Sequence, residues 1–388
     1  MTTNNDALYA ERTKRMEIVQ KGGIPDRVPV YSLVDNWAFS YAGYSIEEIF
    51  SDDEKHYHAF EKVAKDFYWD SMFTSCTSRA MNYVNALDGG SYQTKGLMQI
   101  ESGHALSMES NEYEELIRDP YKFILNVIAP RKYGLLRMPY SEEKQTLYNN
   151  AIDYYFRFRA LGASSVTRFK EDHGMPISRG GVFWHPVDLI LDYFRDFQGT
   201  MLDVKRDPMK VAEAAEAMVP IVIELCEAAY PQHLEGKSIF NPMHLPQFLR
   251  PKDFEKVYWP SYKKIVEHFA SKGCIVQSYF ERNYSHLYEY MQELPKNSIF
   301  GLFEDDDLRV VKKKLGNMMC IAGGMETYTL NYGTKQQCID MAKSLIDDLA
   351  PGGGYVFTTN RIPHAPNDAN PENLKAVNDF VKEYGIYK

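Results

Sequence analysis

The second half of the chain alternates between short apolar runs and longer amphipathic segments. The apolar runs, rich in β-branched and aromatic residues, cover 238–241, 274–280, 298–303, 318–323 and 355–359. Between them, apolar residues recur at the spacing of one helix face. Repeated strand-to-helix units of this kind predict a parallel sheet with right-handed crossovers. Because the runs start about 20 to 36 residues apart, we expect an α/β fold, a distorted (β/α)₈ TIM barrel.

The first half of the chain is less regular. Residues 1–24 are expected to form a helical lead-in that ends at a glycine pair, and 27–34 (RVPVYSLV) the first strand. Residues 68–75 (YWDSMFTS) are a second candidate strand, and about 80–150 an insertion with a β-hairpin and helices. We therefore expect a single barrel domain over 1–388. A doubly wound sheet is the alternative, but no G-x-G-x-x-G follows the first strand.

Charge and composition argue against several classes of partner. The net charge is −9, and Lys and Arg are scattered, which argues against nucleic acid because phosphate binding needs clustered cations. No apolar run reaches the roughly 18 residues of a membrane span, and residues 1–10 lack a signal-peptide pattern. The five cysteines are widely separated and contain no C-x-x-C pair. We expect reduced thiols, a cytoplasmic location and no membrane partner.

Acidic residues follow three successive strands of the predicted barrel. In parallel barrels the active site lies at the carboxyl ends of the strands, and here these ends lead to Glu281, Glu304 and Glu326. Glu281 and Glu304 follow aromatic-rich runs, so we expect both carboxylates to be buried and therefore paired, metal-bound or protonated. The alternative for such a residue is a helix N-cap, which suits 305–307 best.

Two histidines lie in loops near the same strand ends. His244, in the apolar loop FNPMHLPQFL, is expected to contact substrate or to act in catalysis, with packing as the alternative. His364 stands in RIPHAP, where prolines restrict the backbone. Glu281, Glu304 and His364 would together supply three ligands to Zn²⁺ and leave a fourth position open.

Several sequence phrases together resemble the uroporphyrinogen decarboxylase superfamily. In chain order they are IPDRVPVY, NEYEELIRDPYKFI, RDPMKVAEAAEAMVP, LRPKDFEKVYWPSYKKIVEHFASKG, LGNMMCIAGGM and LAPGGGYVFTTN. The resemblance runs over nearly the whole chain and is strongest from about residue 185 onward. It implies a distorted TIM barrel with its site at the carboxyl ends of the strands, as the strand pattern predicts.

The branches of this superfamily differ in motifs that can be compared here. The decarboxylases have an Arg-rich loop after the first strand for a polycarboxylate substrate, whereas residues 31–45 contain neither Arg nor Lys. The branch that methylates thiols holds zinc through H-x-C and a late Cys, where this chain has Gln277, Tyr279 and a glycine, Gly353 or Gly354. The resemblance therefore favours the branch that moves a methyl group from a donor to the cob(I)alamin of a separate corrinoid protein.

On this branch the expected donor is a small methoxylated aromatic compound, and the expected cofactors are cobalamin on the partner protein and zinc as a candidate metal. We expect Glu281, Glu304 and His244 to be catalytic. The expected substrate contacts are Asn241, Tyr279, Phe280, Trp37 and Trp184, with a structural role as the alternative for the two tryptophans. Some ether-cleaving relatives have the zinc pattern E-x₁₄-E-x₂₀-H. That spacing falls here on Glu289, Glu304 and Met325, so the histidine is replaced.

Other functions remain as alternatives to ether demethylation. They are a corrinoid-dependent methyltransferase with another donor or acceptor (methanol, methylamine or a thiol), a decarboxylase-like enzyme, and a non-catalytic tetrapyrrole-binding protein. A homodimer is one expectation for the assembly.

Overall fold

A computed structural model describes residues 4–79, 81–90, 92–101, 106–229 and 238–387. In these ranges the strands are β1 (Tyr31–Ser32), β2 (Ser71–Met72), β3 (Tyr92–Lys95), β4 (Met98–Glu101), β5 (Arg179–Val182), β6 (Ser238–Met243), β7 (Ile275–Phe280), β8 (Ile299–Phe303), β9 (Cys320–Met325) and β10 (Tyr355–Thr359). Strands β3 and β4 form an antiparallel hairpin, and the other strands pair in parallel.

The parallel strands close into a barrel. Strands β5 to β10 form one sheet in the order β10-β9-β8-β7-β6-β5, and β1 pairs with β2. Two single bridges join these sheets: Val30 pairs with Phe357 of β10, and Met72 of β2 pairs with Ile177 just before β5. A backbone hydrogen bond of 2.9 Å accompanies each bridge. The ring of eight parallel strands confirms the predicted (β/α)₈ fold.

Apolar side chains and the N-terminal helix fill the interior of the barrel. One cluster contains Tyr31, Leu33, Phe73, Phe240, Tyr279, Phe300, Leu302, Cys320, Ala322 and Val356, together with Met16 and Val19 of helix Asn4–Gln20. In the same helix, the buried Arg15 binds Asp70, just before β2, at 2.6 Å and Asp26, before β1, at 2.7 Å. The helix therefore closes the end of the barrel at which the strands begin.

Helices cover the outer face of the barrel and its loops. The α-helices after the N-terminal one are Trp37–Ala42, Ile46–Ser51, Asp53–Asp66, Met81–Ala86, Tyr113–Arg118, Pro120–Phe123, Ala129–Lys132, Gly134–Arg137, Glu142–His173, Pro186–Leu189, Asp196–Arg206, Pro208–Ala229, Pro251–Val257, Trp259–Ser271, Tyr288–Met291, Leu308–Leu315, Thr327–Tyr332, Lys335–Leu349 and Pro371–Tyr384. Segments Ile124–Ile128 and Ile190–Arg195 are π-helical, and Pro246–Phe248, Ser285–Leu287 and Pro366–Asp368 are 3₁₀-helical. No helix among the described residues is long and apolar enough to cross a membrane.

The main difference from the predicted elements is strand β5. Its sequence is RGGV (Arg179–Val182), which has neither an apolar run nor an alternation of apolar and polar residues, so it was not predicted. Its pairing with β6 is interrupted by a bulge between Arg179 and Gly181. In the predicted insertion at about 80–150, the expected hairpin is β3–β4, while residues 80, 91 and 102–105 lie outside the described residues.

Candidate active site

A histidine held between two carboxylates lies where β6 and β7 end. His244 Nδ1 is 2.7 Å from Asp192 Oδ2, and its Nε2 is 3.1 Å from Glu281 Oε1. Burial alone disfavours a charged imidazole, but the hydrogen bonds with Asp192 and Glu281 outweigh it and raise the pKa of His244 to about 11. At neutral pH the ring is therefore a cation that donates from both nitrogens.

A second aspartate, one helical turn before Asp192, supports this histidine. Asp188 is fully buried, and its carboxylate accepts hydrogen bonds from the Leu245 amide at 2.9 Å and from the Tyr258 hydroxyl at 2.7 Å. Burial raises the pKa of Asp188 to about 7, an effect that the nearby His244 cation partly offsets. We call Asp188, Asp192, His244 and Glu281 the histidine cluster.

The local backbone after β5 brings these aspartates to the histidine. Asp192 lies in the π-helical turn Ile190–Arg195, and the turn ends at Asp196, whose φ is +60°. Wide turns of this type are frequent at functional sites, and a non-glycine residue with positive φ is strained. Sequence reasoning missed Asp188 and Asp192. The available signal was a pair of aspartates four residues apart in WHPVDLILD, directly after β5.

Glu304 belongs to a separate group of charges at the ends of β8 and β10. Its Oε1 lies 3.0 Å from Arg361 Nε, and its Oε2 accepts the Arg282 amide at 2.7 Å. Arg361 Nη2 also binds Asp305 at 2.9 Å. Burial raises the pKa of Glu304, while the amide and Arg361 act in the opposite direction. We call Glu304, Asp305, Arg282 and Arg361 the arginine cluster.

The structure does not bring the three predicted zinc ligands together. Glu281 binds His244, and Glu304 binds Arg361, while the His364 ring lies 3.1 Å from the Arg79 guanidinium and 3.9 Å from buried Asp35. Within the described part of the chain, no group of three or more His, Cys, Asp or Glu side chains is arranged to hold a metal ion. The expected zinc site is therefore not formed, because each of its members has a different local partner.

The related glutamate pattern is not assembled either. Glu289 is exposed on helix Tyr288–Met291, and Met325 is buried in β9. Glu326 is also exposed, where it accepts a hydrogen bond from the Thr329 hydroxyl at 2.8 Å. These positions do not add a ligand to Glu304, and the residues present do not fit a zinc ion.

Two of the predicted aromatic contacts, Tyr279 and Trp184, differ in burial, and Tyr279 is only 6% exposed. Tyr279 faces the barrel interior, where its hydroxyl lies near Glu281 and Glu304, and burial raises its pKa. Its ring follows Phe240 and Phe73 along the inner wall, with centroid distances of 6.4 Å from Tyr279 to Phe240 and 4.8 Å from Phe240 to Phe73. We call these three rings the aromatic row. Trp184, just beyond β5, is half-buried.

The other three residues expected to contact substrate do not line the inner wall of the barrel. Asn241 and Phe280 are fully buried and point away from the barrel axis, because side chains alternate along a strand and the preceding Phe240 and Tyr279 point inward. Phe280 stacks on Phe303 with a centroid distance of 4.5 Å. Trp37 is 1% exposed and packs in the outer core, stacked on Tyr41 at 4.9 Å.

The sequence profile of the uroporphyrinogen decarboxylase (URO-D) family matches residues 168–384, more than half of the chain. The chain belongs to this family. Among solved structures, a methyltransferase from Methanosarcina mazei is similar, with a TM-score of 0.63 and 14% sequence identity over 96% of this chain and 98% of that one. At this identity the likeness shows a shared fold. No curated protein sequence matches the chain.

Three arginines at this barrel mouth each lie near a carboxylate. Arg79 has Asp35 within 3.8 Å, Arg282 has Asp305 within 3.7 Å, and Arg361 has Glu304 within 3.0 Å. A substrate with many carboxylates would need several cations free of such partners. The mouth therefore suits a ligand with little negative charge better than it suits a polyanion.

Proposed function

We propose that this chain is a methyltransferase that moves a methyl group from a methoxylated aromatic compound to the cob(I)alamin of a separate corrinoid protein. The observation that carries the proposal is a doubly hydrogen-bonded histidine cation whose partner Glu281 lies near the hydroxyl of Tyr279, at one end of the aromatic row. The aromatic row suits a ring, and the cation suits an oxygen that becomes negative as its methyl group leaves. The methyltransferase from Methanosarcina mazei, which has the same fold over nearly its whole length, supports methyl transfer as the class of reaction.

The reaction breaks the bond between the methyl carbon and the ether oxygen. The corrinoid, when its protein is docked, supplies the nucleophile that accepts the methyl group. The oxygen leaves with the bonding electrons as a phenolate and must then gain a proton. The tasks left for this chain are to hold the ring, to exclude water and to stabilise the developing charge.

Tyr279 and the histidine cluster supply suitable groups for the leaving oxygen. The raised pKa of Tyr279 keeps its hydroxyl protonated at neutral pH, so it can donate a hydrogen bond. His244 is a cation whose proton can pass through Glu281, the carboxylate at its Nε2. We assign His244 and Glu281 as the acid network, and we assign Glu304 a supporting electrostatic role because Arg361 holds it. One well-placed general acid is worth roughly 10²–10⁴-fold in rate.

The test is anaerobic methylation of cob(I)alamin by the purified protein, followed by absorbance. The donors to compare are 4-methoxybenzoate, methanol, methylamine and dimethyl sulfide, with divalent metals present and absent. We expect methylcobalamin from the methoxyarene alone, together with an equal amount of the phenol. Methylation from another donor alone would overturn the substrate class and keep methyl transfer. No methylation from any donor, with cob(I)alamin shown to be active, would overturn the proposed activity.

A further inference from the structure

The π-helical turn that carries Asp192 is held by the insertion at about 80–150. The carbonyl of Phe194, near the end of the turn, accepts backbone hydrogen bonds from the amides of Ser107 and Met108, each at 2.9 Å. Carbonyls at the end of a helical turn lack partners inside it, so they need donors from elsewhere. The insertion supplies such donors to this turn.

Arg195, the last residue of the turn, makes a second connection to the insertion. Its guanidinium donates to the Met108 carbonyl at 2.8 Å and makes a bidentate pair with Asp203, at 2.7 Å from Nε and 3.2 Å from Nη2. The Tyr113 hydroxyl, also in the insertion, donates to Asp203 at 3.1 Å. Each of these four residues is at most 7% exposed. We call Arg195, Asp203, Met108 and Tyr113 the Arg195 network.

The chemistry of this network suits positioning better than it suits stability. Two buried charges lose their hydration, and an apolar contact of similar volume often stabilises a fold as well as a buried ion pair does. A bidentate guanidinium adds direction, because its planar fork fits only one arrangement of its partners. The turn needs such a fixed partner because it ends at Asp196, a strained non-glycine residue with φ of +60°.

The position of this turn decides whether Asp192 reaches His244. Asp192 lies three residues before Arg195 in the turn, and its Oδ2 is 2.7 Å from His244 Nδ1. A hydrogen bond is lost once its heavy atoms are separated by more than about 3.6 Å. A displacement of the turn by about 1 Å would therefore release His244 from Asp192.

We propose that Arg195 is a positioning residue for methyl transfer, and that the Arg195 network fixes the π-helical turn so that Asp192 meets the His244 ring. This assignment rests on the proposed function. Arg195 binds Asp203 and Met108, so it acts on the reaction through Asp192. The insertion supplies no member of the histidine cluster, and its contribution to the active site is to hold this turn.

The first measurement needs no substrate. NMR follows the titration of the His244 ring in wild type, in Arg195→Gln and in Arg195→Lys, which keeps the charge without the planar fork. We expect His244 to titrate about one pH unit lower in Arg195→Gln, because its charge-assisted hydrogen bond to Asp192 is weakened. Arg195→Lys should give a smaller change in the same direction.

The second measurement is methyl transfer from 4-methoxybenzoate to cob(I)alamin. We expect kcat to fall roughly 10- to 100-fold in Arg195→Gln, since a small misplacement of a catalytic group has effects of this size. The KM for the donor should stay within about threefold, because the acid network acts on the leaving oxygen and not on ring binding. Tyr113→Phe removes one hydrogen bond from Asp203 and should lower kcat less than Arg195→Gln does.

Arg15→Lys is the matched control. Arg15 and Asp70 form a similarly buried ion pair, 2.6 Å apart, at the opposite end of the barrel. The control should lower the Tm about as much as Arg195→Lys does, and it should leave the His244 titration and kcat unchanged. Thermal unfolding checks that every variant is folded, and if Arg195→Gln is not, the His244 titration in Arg195→Lys decides.

Two results would overturn the positioning role. One is an unchanged His244 titration in the folded Arg195 variants, and the other is an equal change in Arg15→Lys, which would make the effect one of general stability. Methyl transfer by wild type together with either result would keep the proposed function. A lower His244 titration in the Arg195 variants alone, without methyl transfer by wild type from any donor, would keep the role of the Arg195 network in holding Asp192 and overturn the proposed function.

Discussion

The histidine cluster and the arginine cluster neutralise their glutamates in different ways. Glu281 is paired with His244, and Glu304 is paired with Arg361. A guanidinium keeps its proton at any pH at which proteins fold, whereas an imidazole is a cation only where its surroundings make it one. Here the hydrogen bonds with Asp192 and Glu281 do so. Proton transfer is therefore open to the histidine cluster and closed to the Arg361 side chain.

The two clusters also differ in their balance of charge. The histidine cluster places three carboxyl groups around one cation, and burial raises the pKa of one of them, Asp188, to about 7. The arginine cluster matches Glu304 and Asp305 with Arg282 and Arg361. The first arrangement holds an exchangeable proton close to neutral pH, and the second is a fixed network of ion pairs. This difference separates a group suited to chemistry from one suited to holding strand ends together.

The largest expected effect comes from breaking the histidine cluster. His244→Gln removes the cation and leaves Asp192 and Glu281 facing each other without a positive charge. We expect the initial rate of methylcobalamin formation from 4-methoxybenzoate to fall roughly 10²–10⁴-fold. Arg361→Gln is the comparison, and its rate should fall less than about tenfold because Arg361 does not exchange a proton. Equal losses in the two variants, with both folded, would contradict the proposed division of roles.

A smaller effect on stability should appear in the arginine cluster. Glu304 is 12% exposed, so Arg361→Gln leaves a largely buried carboxylate with a weaker partner. We expect the free energy of unfolding to fall by about 1–3 kcal/mol, measured by chemical denaturation. Adding Glu304→Gln to that variant should restore part of the loss, since the unpaired charge is then removed. Two losses that simply add would show that the pair is not coupled.

The sequence predicted the strands that consist of apolar runs rich in β-branched and aromatic residues. The run 274–280 corresponds to β7 (Ile275–Phe280), and 298–303 corresponds to β8 (Ile299–Phe303). Strand β5 was missed because a glycine-rich strand has no apolar pattern, although its backbone pairs in parallel with β6 across a bulge. Closure of the barrel depends on single bridges at Val30 and Met72, and such long-range pairings leave no local pattern.

For the site, the sequence predicted the location of the side chains more accurately than it predicted their contact partners. Strand ends placed His244, Glu281 and Glu304 at one mouth, as the structure has them. The partners depend on a π-helical turn at Asp192 and on a loop arginine, Arg361, and neither follows from strand periodicity. Tyr279 and Phe280 were both expected to contact substrate, but side chains alternate along a strand, so only Tyr279 points inward.

The smallest expected effect is a pH-dependent one in the histidine cluster. A pKa raised to about 11 means that His244 stabilises the fold fully below its unfolded-state pKa near 6.5, and that this stabilisation is lost as the pH rises through about 11. Asp192→Asn removes one of the two carboxylates that stabilise the His244 cation and leaves the other, Glu281. The expected loss in unfolding free energy at pH 6.5 is therefore about 1 kcal/mol. The difference between wild type and variant should vanish towards pH 11, and NMR should show a lower His244 pKa in the variant. A difference that stays constant up to pH 11 would mean that Asp192 acts by packing, and the histidine cluster would then be as fixed as the arginine cluster.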